Sequence, residues 1–342
     1  MTKHLVFRTI LSVAATCTLA SAVTDFKANV CDSAFVASKA GDKDWVIIDG
    51  RPADQYKEGH IPGAVNYGQA IVVTLKHPVD GKIVSAPVAA DLLGKMGVDN
   101  KKGVIVYGTR ADYHVAVEMS PWYYGVKEYC YLDGGFETWK DLGKPVETKV
   151  NEPRPAKFEA KIVHPELYIS TNELIQVVNS KKPNVTLIDV RSKAEFEGTE
   201  NTLVRGGRIP GAIHMAHDLP INAKDGTFKS LEQLKAIYKD IPKNNEVIVY
   251  CHRGCRTSYT YSSLKMLGYS NVKIYEDGMV VWGARADTPI EEEHNVNLRA
   301  YKGQIDTLNK EVKELKELIK KGVQPAGAAP SAKEAAPQIQ GC

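Results

Sequence analysis

The sequence predicts an α/β protein in which one parallel-sheet domain occurs twice. Three observations predict it: short β-branched apolar runs alternate with helical stretches, the same ordered blocks recur, and the two sets lie about 143 residues apart. That period is far longer than a solenoid repeat, so it marks a duplicated domain. A chain of 342 residues has room for two such cores, and its 43% hydrophobic and 25% charged content excludes wholesale disorder. Lys and Arg number 44 against 41 Asp and Glu, a net of +3, so no nucleic-acid partner is expected.

Residues 1–22 read as a signal peptide. Lys3, His4 and Arg8 precede an apolar run from Thr9 to Leu19, and Ala20-Ser21-Ala22 forms a cleavage motif. Export, most plausibly to a periplasm, is the expectation. No later stretch reaches the ~18 apolar residues needed to span a bilayer. The first domain, 23–145, opens with the strand Trp45–Ile48 running into Asp49-Gly50-Arg51, followed by the turn Gly59-His60-Ile61-Pro62-Gly63-Ala64. Helices are expected over Ser85–Met96 and Tyr113–Tyr124, with the strand Val104–Tyr107 between them and the block Gly135–Trp139 after them. A proline-rich linker, 146–165, leads to the second domain, 166–290. Its matching blocks are Val185–Ile188 with Asp189-Val190-Arg191, Gly207-Arg208-Ile209-Pro210-Gly211-Ala212, Val247–Tyr250 and Gly278–Trp282. Helices are expected over Ser230–Tyr238 and Thr257–Leu267. Each apolar run ends in polar residues, as a buried strand does at its C-terminal edge.

Chemistry concentrates in Tyr250-Cys251-His252-Arg253-Gly254-Cys255-Arg256-Thr257-Ser258, between a buried strand and a helix start. The amides of a loop curling into a helix N-terminus converge on one point and form an anion cradle. Cys251 opens that loop beside His252, Arg253 and Arg256, which favours its nucleophilic thiolate form. Gly254 permits the tight curve.

Taken with the ordered blocks around it, the loop C-x-x-G-x-R is similar to that of tandem-domain rhodaneses, the sulfurtransferase family. The resemblance runs over roughly residues 28–285. It implies a cysteine that takes a sulfane sulfur as a persulfide and passes it to a thiophilic acceptor, with no cofactor and no metal. It further implies Cys251 as nucleophile, Arg256 closing the cradle, and Arg191 binding the donor anion with Asp189 orienting the site. His252, Arg253 and Gly254 would contact the donor, with thiosulfate preferred for the loop's positive charge and polysulfide as the alternative. Arg208 reads equally as a helper or as a surface residue before a turn. Phosphatases of similar fold have a loop one residue longer, so sulfur transfer is preferred over phosphoryl transfer.

The first domain departs from the pattern where chemistry needs it. Gly108 stands for Cys251, Ala111 and Asp112 for Gly254 and Cys255, and Tyr113 for Arg256. It reads as a silent scaffold along one side of the cleft. Cys255 is either a resolving thiol for Cys251, as in a thiol-redox protein, or an inert loop residue; an assembly scaffold without activity is a third reading. By the resemblance, Cys31 and Cys130 lie on neighbouring segments. Two separate buried thiols are expected there, with a disulfide as the alternative.

Residues 291–321 are expected to form an amphipathic helix. Leu298, Tyr301, Ile305, Leu308, Val312, Leu315 and Ile319 follow a 3,4 spacing, the a/d stripe of a coiled coil. Pairing into a homodimer through 298–319 and packing back on the parent domain both satisfy it. The Ala- and Pro-rich segment 322–342, ending at Cys342, reads as a flexible tail. The silent loop yields a first prediction. A thiol introduced by Gly108→Cys in a Cys251→Ser background should take up no persulfide from thiosulfate, because Asp112 and Tyr113 still spoil the loop. Intact mass spectrometry reads the result.

Overall fold

The computed structural model describes residues 24–25, 28–66, 83–110, 120–200, 202–295 and 298–320. The segments expected to be a signal peptide (1–22) and a flexible tail (322–342), with most of the helix expected from Tyr113, lie outside the described residues.

The first domain contains strands β1 (Val30–Cys31), β2 (Trp45–Asp49), β3 (Val65–Asn66), β4 (Gly103–Tyr107) and β5 (Glu128–Leu132), ordered β1-β5-β4-β2-β3 and all parallel. Its helices are α1 (Ser33–Lys39), α2 (Ala53–Glu58), α3 (Ala86–Lys95), α4 (Ser120–Tyr123) and α5 (Gly135–Asp141). In the second domain the strands are β6 (Val185–Asp189), β7 (Arg205–Arg208), β8 (Ile213–His214), β9 (Glu246–Tyr250), β10 (Val272–Tyr275) and β11 (Glu291–Asn295). Four of them form a parallel sheet, β10-β9-β6-β8, while β7 and β11 make a separate antiparallel ribbon. The helices here are α6 (Thr171–Asn179), α7 (Lys193–Phe196), α8 (Leu231–Ile237), α9 (Ser258–Met266), α10 (Gly278–Ala284) and α11 (Leu298–Lys320). The central strands β4 and β9 are buried along their whole length, as their unbroken Val-Ile-Val-Tyr runs require of strands covered on both faces. The α/β reading with two parallel sheets is what the chain adopts.

One apolar cluster joins the facing sides of the two sheets, and polar bonds cross the same boundary. Tyr131 Oη donates to Ser262 Oγ at 3.1 Å, Ser262 Oγ donates to the Ala28 carbonyl at 2.7 Å, and the Phe228 amide donates to Asp133 Oδ1 at 3.0 Å. The first domain therefore abuts α9, the helix that leaves the Cys251 loop.

Three sequence expectations change. Residues 291–295 are a strand rather than the start of the helix: Glu293 pairs with Arg205 and Glu291 with Arg208 across the ribbon, which holds that segment extended. The domain edges also move. Trp139 Nε1 donates to the Pro145 carbonyl and Trp282 Nε1 to that of Pro289, both at 2.8 Å. Glu147 Oε1 then accepts from the Gly63 amide, and Glu291 Oε1 from that of Gly211. Pro145-Val146-Glu147 and Pro289-Ile290-Glu291 are thus a fifth repeated block, belonging to the domain bodies. Finally, Cys31 and Cys130 form a disulfide with Cα atoms 5.7 Å apart, in place of the two thiols expected. Parallel pairing of β1 with β5 sets Cys31 opposite Leu132, so Cys130 lies one step along the same face.

That bond closes a separation of 99 residues. A loop of such length constrains the unfolded chain by ~4–5 kcal/mol in the chain-entropy account. Chemical denaturation of a Cys31→Ser/Cys130→Ser double variant should therefore show a loss of about 2–5 kcal/mol, with far-UV circular dichroism unchanged below the new midpoint.

Candidate functional site

Each D-x-R block builds a buried ion pair. Arg191 Nε donates to Asp189 Oδ1 at 3.0 Å and its Nη2 donates to Oδ2 at 2.6 Å; Nη2 also donates to the Gly207 carbonyl at 2.6 Å. Tyr250, the last residue of β9, donates from its hydroxyl toward Asp189 and accepts the Ile209 amide at 3.1 Å. The first domain repeats the set with Asp49, Arg51, the Gly59 carbonyl, Tyr107 and Ile61. Arg191 is 1% exposed, with Nε and Nη2 committed to Asp189 and Gly207. Sequence reading assigned it to the donor anion. The structure places it as a brace beneath the strand end, an arrangement that the first domain repeats with Arg51.

Directly after Tyr250 the loop begins. Four of its carbonyls are tied by hydrogen bonds: those of Cys251 and His252 accept the Met279 and Val280 amides at 2.9 and 3.0 Å, from the first turn of α10. The Gly254 carbonyl accepts Thr257 Oγ1 at 2.5 Å and the Cys255 carbonyl accepts Ser258 Oγ at 2.7 Å. Because a trans peptide sets N–H opposite C=O, outward carbonyls turn the amides inward. Gly254, at φ 86°, lies against Glu276 where a Cβ would collide with the carboxylate and backbone. Gly278, at φ 61°, would collide through a Cβ with the His252 carbonyl. Both glycines are there to let backbone approach backbone. Cys251 itself is fully buried, at 0% exposure.

The loop's charge differs from its sequence. Arg256 donates from Nη1 and Nη2 to the two carboxylate oxygens of Glu195 at 2.7 and 2.9 Å, a bidentate pair. Burial pushes the Glu195 carboxyl up, but the Arg256 bonds and charge, with the Ser192 amide and Arg191, outweigh it and hold the group at about 2. His252 moves the other way. Burial leads, Glu195 opposes it, and the cations Arg256, Arg253 and Arg191 add to it, bringing the imidazole down to about 4. His252 is therefore neutral near pH 7 and Arg256 is already neutralised. The loop therefore carries less positive charge than its sequence shows. Cys255 is also buried, and its thiol faces the Arg253 carbonyl at 4.0 Å, on the carbonyl side of the loop. Arg208 sits 4.5 Å over the Phe196 ring and pairs with Glu291, away from the loop. Among the described residues no cluster of His, Cys, Asp or Glu suits a metal ion.

The rhodanese-like domain model matches this chain twice, at residues 34–142 and 170–285. The chain belongs to the rhodanese-like family. Among its relatives is the sulfur carrier protein TtuD of Thermus thermophilus, 30% identical over 69% of this chain and 86% of that protein. A protein of Mycolicibacterium smegmatis, provisionally named a thiosulfate sulfurtransferase, is 32% identical over 69% of this chain and 87% of its own length. The rhodanese-like fold also aligns with the anaerobic ergothioneine biosynthesis enzyme of Chlorobium limicola, with TM-score 0.69, 20% identity, and 77% and 70% of the two chains covered. A structure of an EanB variant carrying a cysteine persulfide aligns likewise, with TM-score 0.69 and 20% identity over 77% and 70% of the two chains. This rhodanese-like chain is a sulfurtransferase.

Sequence reading missed Glu195. Its signal was present: Ser192-Lys193-Ala194-Glu195 is a capping box at the start of α7, directly after D-x-R. Gln55 occupies the matching place in the silent domain, where Tyr113 replaces Arg256. The two partners change together between the copies.

Two measurements follow. Removing one charge-assisted bond costs about 1.5–3 kcal/mol, roughly tenfold to a hundredfold in rate if it shapes the reacting geometry. Arg256→Ala and Glu195→Gln should each lower kcat/KM by that factor, their combination should be no worse than the poorer single variant, and Arg253→Ala should cost less. For His252, the unfolded imidazole protonates near 6.5 and the folded one near 4, so the unfolded chain holds the extra proton between those values. Stability must fall as pH drops through that window. The melting temperature should therefore decline less between about pH 7 and 5 in His252→Asn than in the parent.

Proposed function

We propose that the chain is an exported sulfurtransferase that moves sulfane sulfur from thiosulfate or polysulfide to a thiophilic acceptor through a persulfide on Cys251. The observation that carries this reading is Cys251 at the start of a loop whose carbonyls are tied outward to α10, α9 and the turn before it. Inward amides stabilise both a thiolate and the terminal sulfur of a persulfide. In the first half-reaction the Cys251 thiolate attacks the outer sulfur of thiosulfate; the S–S bond of the donor breaks and sulfite leaves with the electron pair. In the second, a nucleophile such as cyanide or a thiolate takes that sulfur, and Cys251 returns as thiolate. No external oxidant or reductant is consumed. Arg256, fixed by Glu195, closes the loop; Arg253 guides the anion; Arg191 and Asp189 hold the strand end in register.

Export is supported by the n-, h- and c-regions of residues 1–22 and by the Cys31–Cys130 disulfide, which suits an oxidising compartment.

Intact mass after incubation with thiosulfate or polysulfide tests the chemistry. A one-sulfur increment on the parent, absent from Cys251→Ser, is expected, together with loss of thiosulfate-to-cyanide transfer in the variant and an unchanged melting curve. A loss of two hydrogens would instead identify a Cys251–Cys255 redox couple, and no change would identify a scaffold. Fractionation of cells expressing the full chain should place it in the periplasm with Val23 as its first residue.

A further inference from the structure

The helix α11 lies beyond the second rhodanese-like match, and three of its apolar residues face water. Leu308, Val312 and Leu315 are 59%, 46% and 46% exposed. They belong to the stripe Leu298, Tyr301, Ile305, Leu308, Val312, Leu315 and Ile319, which takes the a and d positions of three successive heptads. Three occupants could cover such a stripe: the parent domain, a bilayer, or another helix. Exposure of these three side chains shows that the parent domain does not cover the stripe from Leu308 to Leu315. A bilayer surface calls for a polar face dominated by Lys and Arg, whereas in α11 the six cations Arg299, Lys302, Lys310, Lys313, Lys316 and Lys320 are interspersed with the four carboxylates Asp306, Glu311, Glu314 and Glu317, an excess of only two.

We infer that α11 pairs in parallel and in register with α11 of a second copy. Three features select that partner. The a positions after Leu298 are β-branched (Ile305, Val312, Ile319), while Leu308 and Leu315 occupy d, the combination that favours two parallel strands. Glu311 stands at g and Lys316 at the following e, so each helix offers its carboxylate to the ammonium of the other. A stripe of ~22 residues gives a seam of about 33 Å at 1.5 Å per residue. Ahead of α11, β11 is fixed to β7 through Arg205–Glu293 and Arg208–Glu291. A parallel pair therefore gathers two catalytic domains at one end of the seam and sends both C-termini out of the other.

Sedimentation of the full chain with its thiols reduced tests this across micromolar concentrations. Twice the 37.6 kDa chain mass (less any cleaved signal) is expected for the parent, and a single mass for Leu308→Lys/Leu315→Lys, with transfer activity per chain unchanged. Glu311→Lys should weaken the dimer and Glu311→Lys/Lys316→Glu should restore it. In a Cys342→Ser background, Leu315→Cys should crosslink two copies through the d layer on air oxidation, whereas an antiparallel pair would set the two thiols about 20 Å apart along the seam. A parent that stays monomeric overturns the proposal, as does a dimer that survives both lysines. Co-sedimentation of a monomeric parent with phosphatidylglycerol vesicles would overturn it in favour of a membrane surface.

Discussion

Everything around the loop hangs on a carboxylate buried beneath the end of a strand. Asp189 is wholly out of water, and such a charge is costly unless every lone pair is used. Here the Arg191 guanidinium, the Arg191 amide and the Tyr250 hydroxyl use them. Arg191 and Tyr250 in turn bond the Gly207 carbonyl and the Ile209 amide. One ion pair thereby fixes the β6 end, the β9 end and the I-P-G turn in a single geometry. Cys251 follows Tyr250 directly, so the thiol inherits its position from a charge that never meets the substrate. Removing one member would leave the other as an uncompensated buried charge, which is why both domains keep the whole set, active or not.

What separates the two copies lies one layer further out. The α10 clamp is common to both: the Phe136 amide donates to the Gly108 carbonyl as the Met279 amide does to Cys251. Loop backbone path at that point is a property of the fold. The thiol, the Glu195–Arg256 pair and the glycine at 254 belong to the second domain alone. Scaffold and chemistry thus separate cleanly along the duplication, and the thiol could be lost from one copy without disturbing the bonds that fold it.

Much of this was legible in the sequence because duplication makes a chain its own comparison. Blocks shared by both copies proved to be the sheet, the ion pair and the clamp, while differences between the copies marked the site. Charge was not legible. Arg256 and His252 look cationic as letters, yet Glu195, 61 positions away in sequence, neutralises one, and burial keeps the other unprotonated. The disulfide was hidden for a similar reason: only the register of β1 on β5 brings Cys31 beside Cys130. The strand at 291–295 escaped notice because its ordering comes from Arg205 and Arg208 across a ribbon, with no apolar alternation to announce it.

That disulfide also bears on how the molecule would yield to force and to proteases. β1 is a two-residue strand at the edge of its sheet, with β5 as its parallel neighbour and a lone antiparallel bridge from Asp25 to Val30 on its other side. Edge strands so short fray readily, and a frayed N-terminal segment offers a protease an entry point. With Cys31 covalently fixed to β5, residues before it can peel, but β1 itself cannot leave without breaking a covalent bond. Opening at that edge is converted from a local, frequent event into one that must await disruption of the sheet, and resistance to cleavage there is governed by global unfolding.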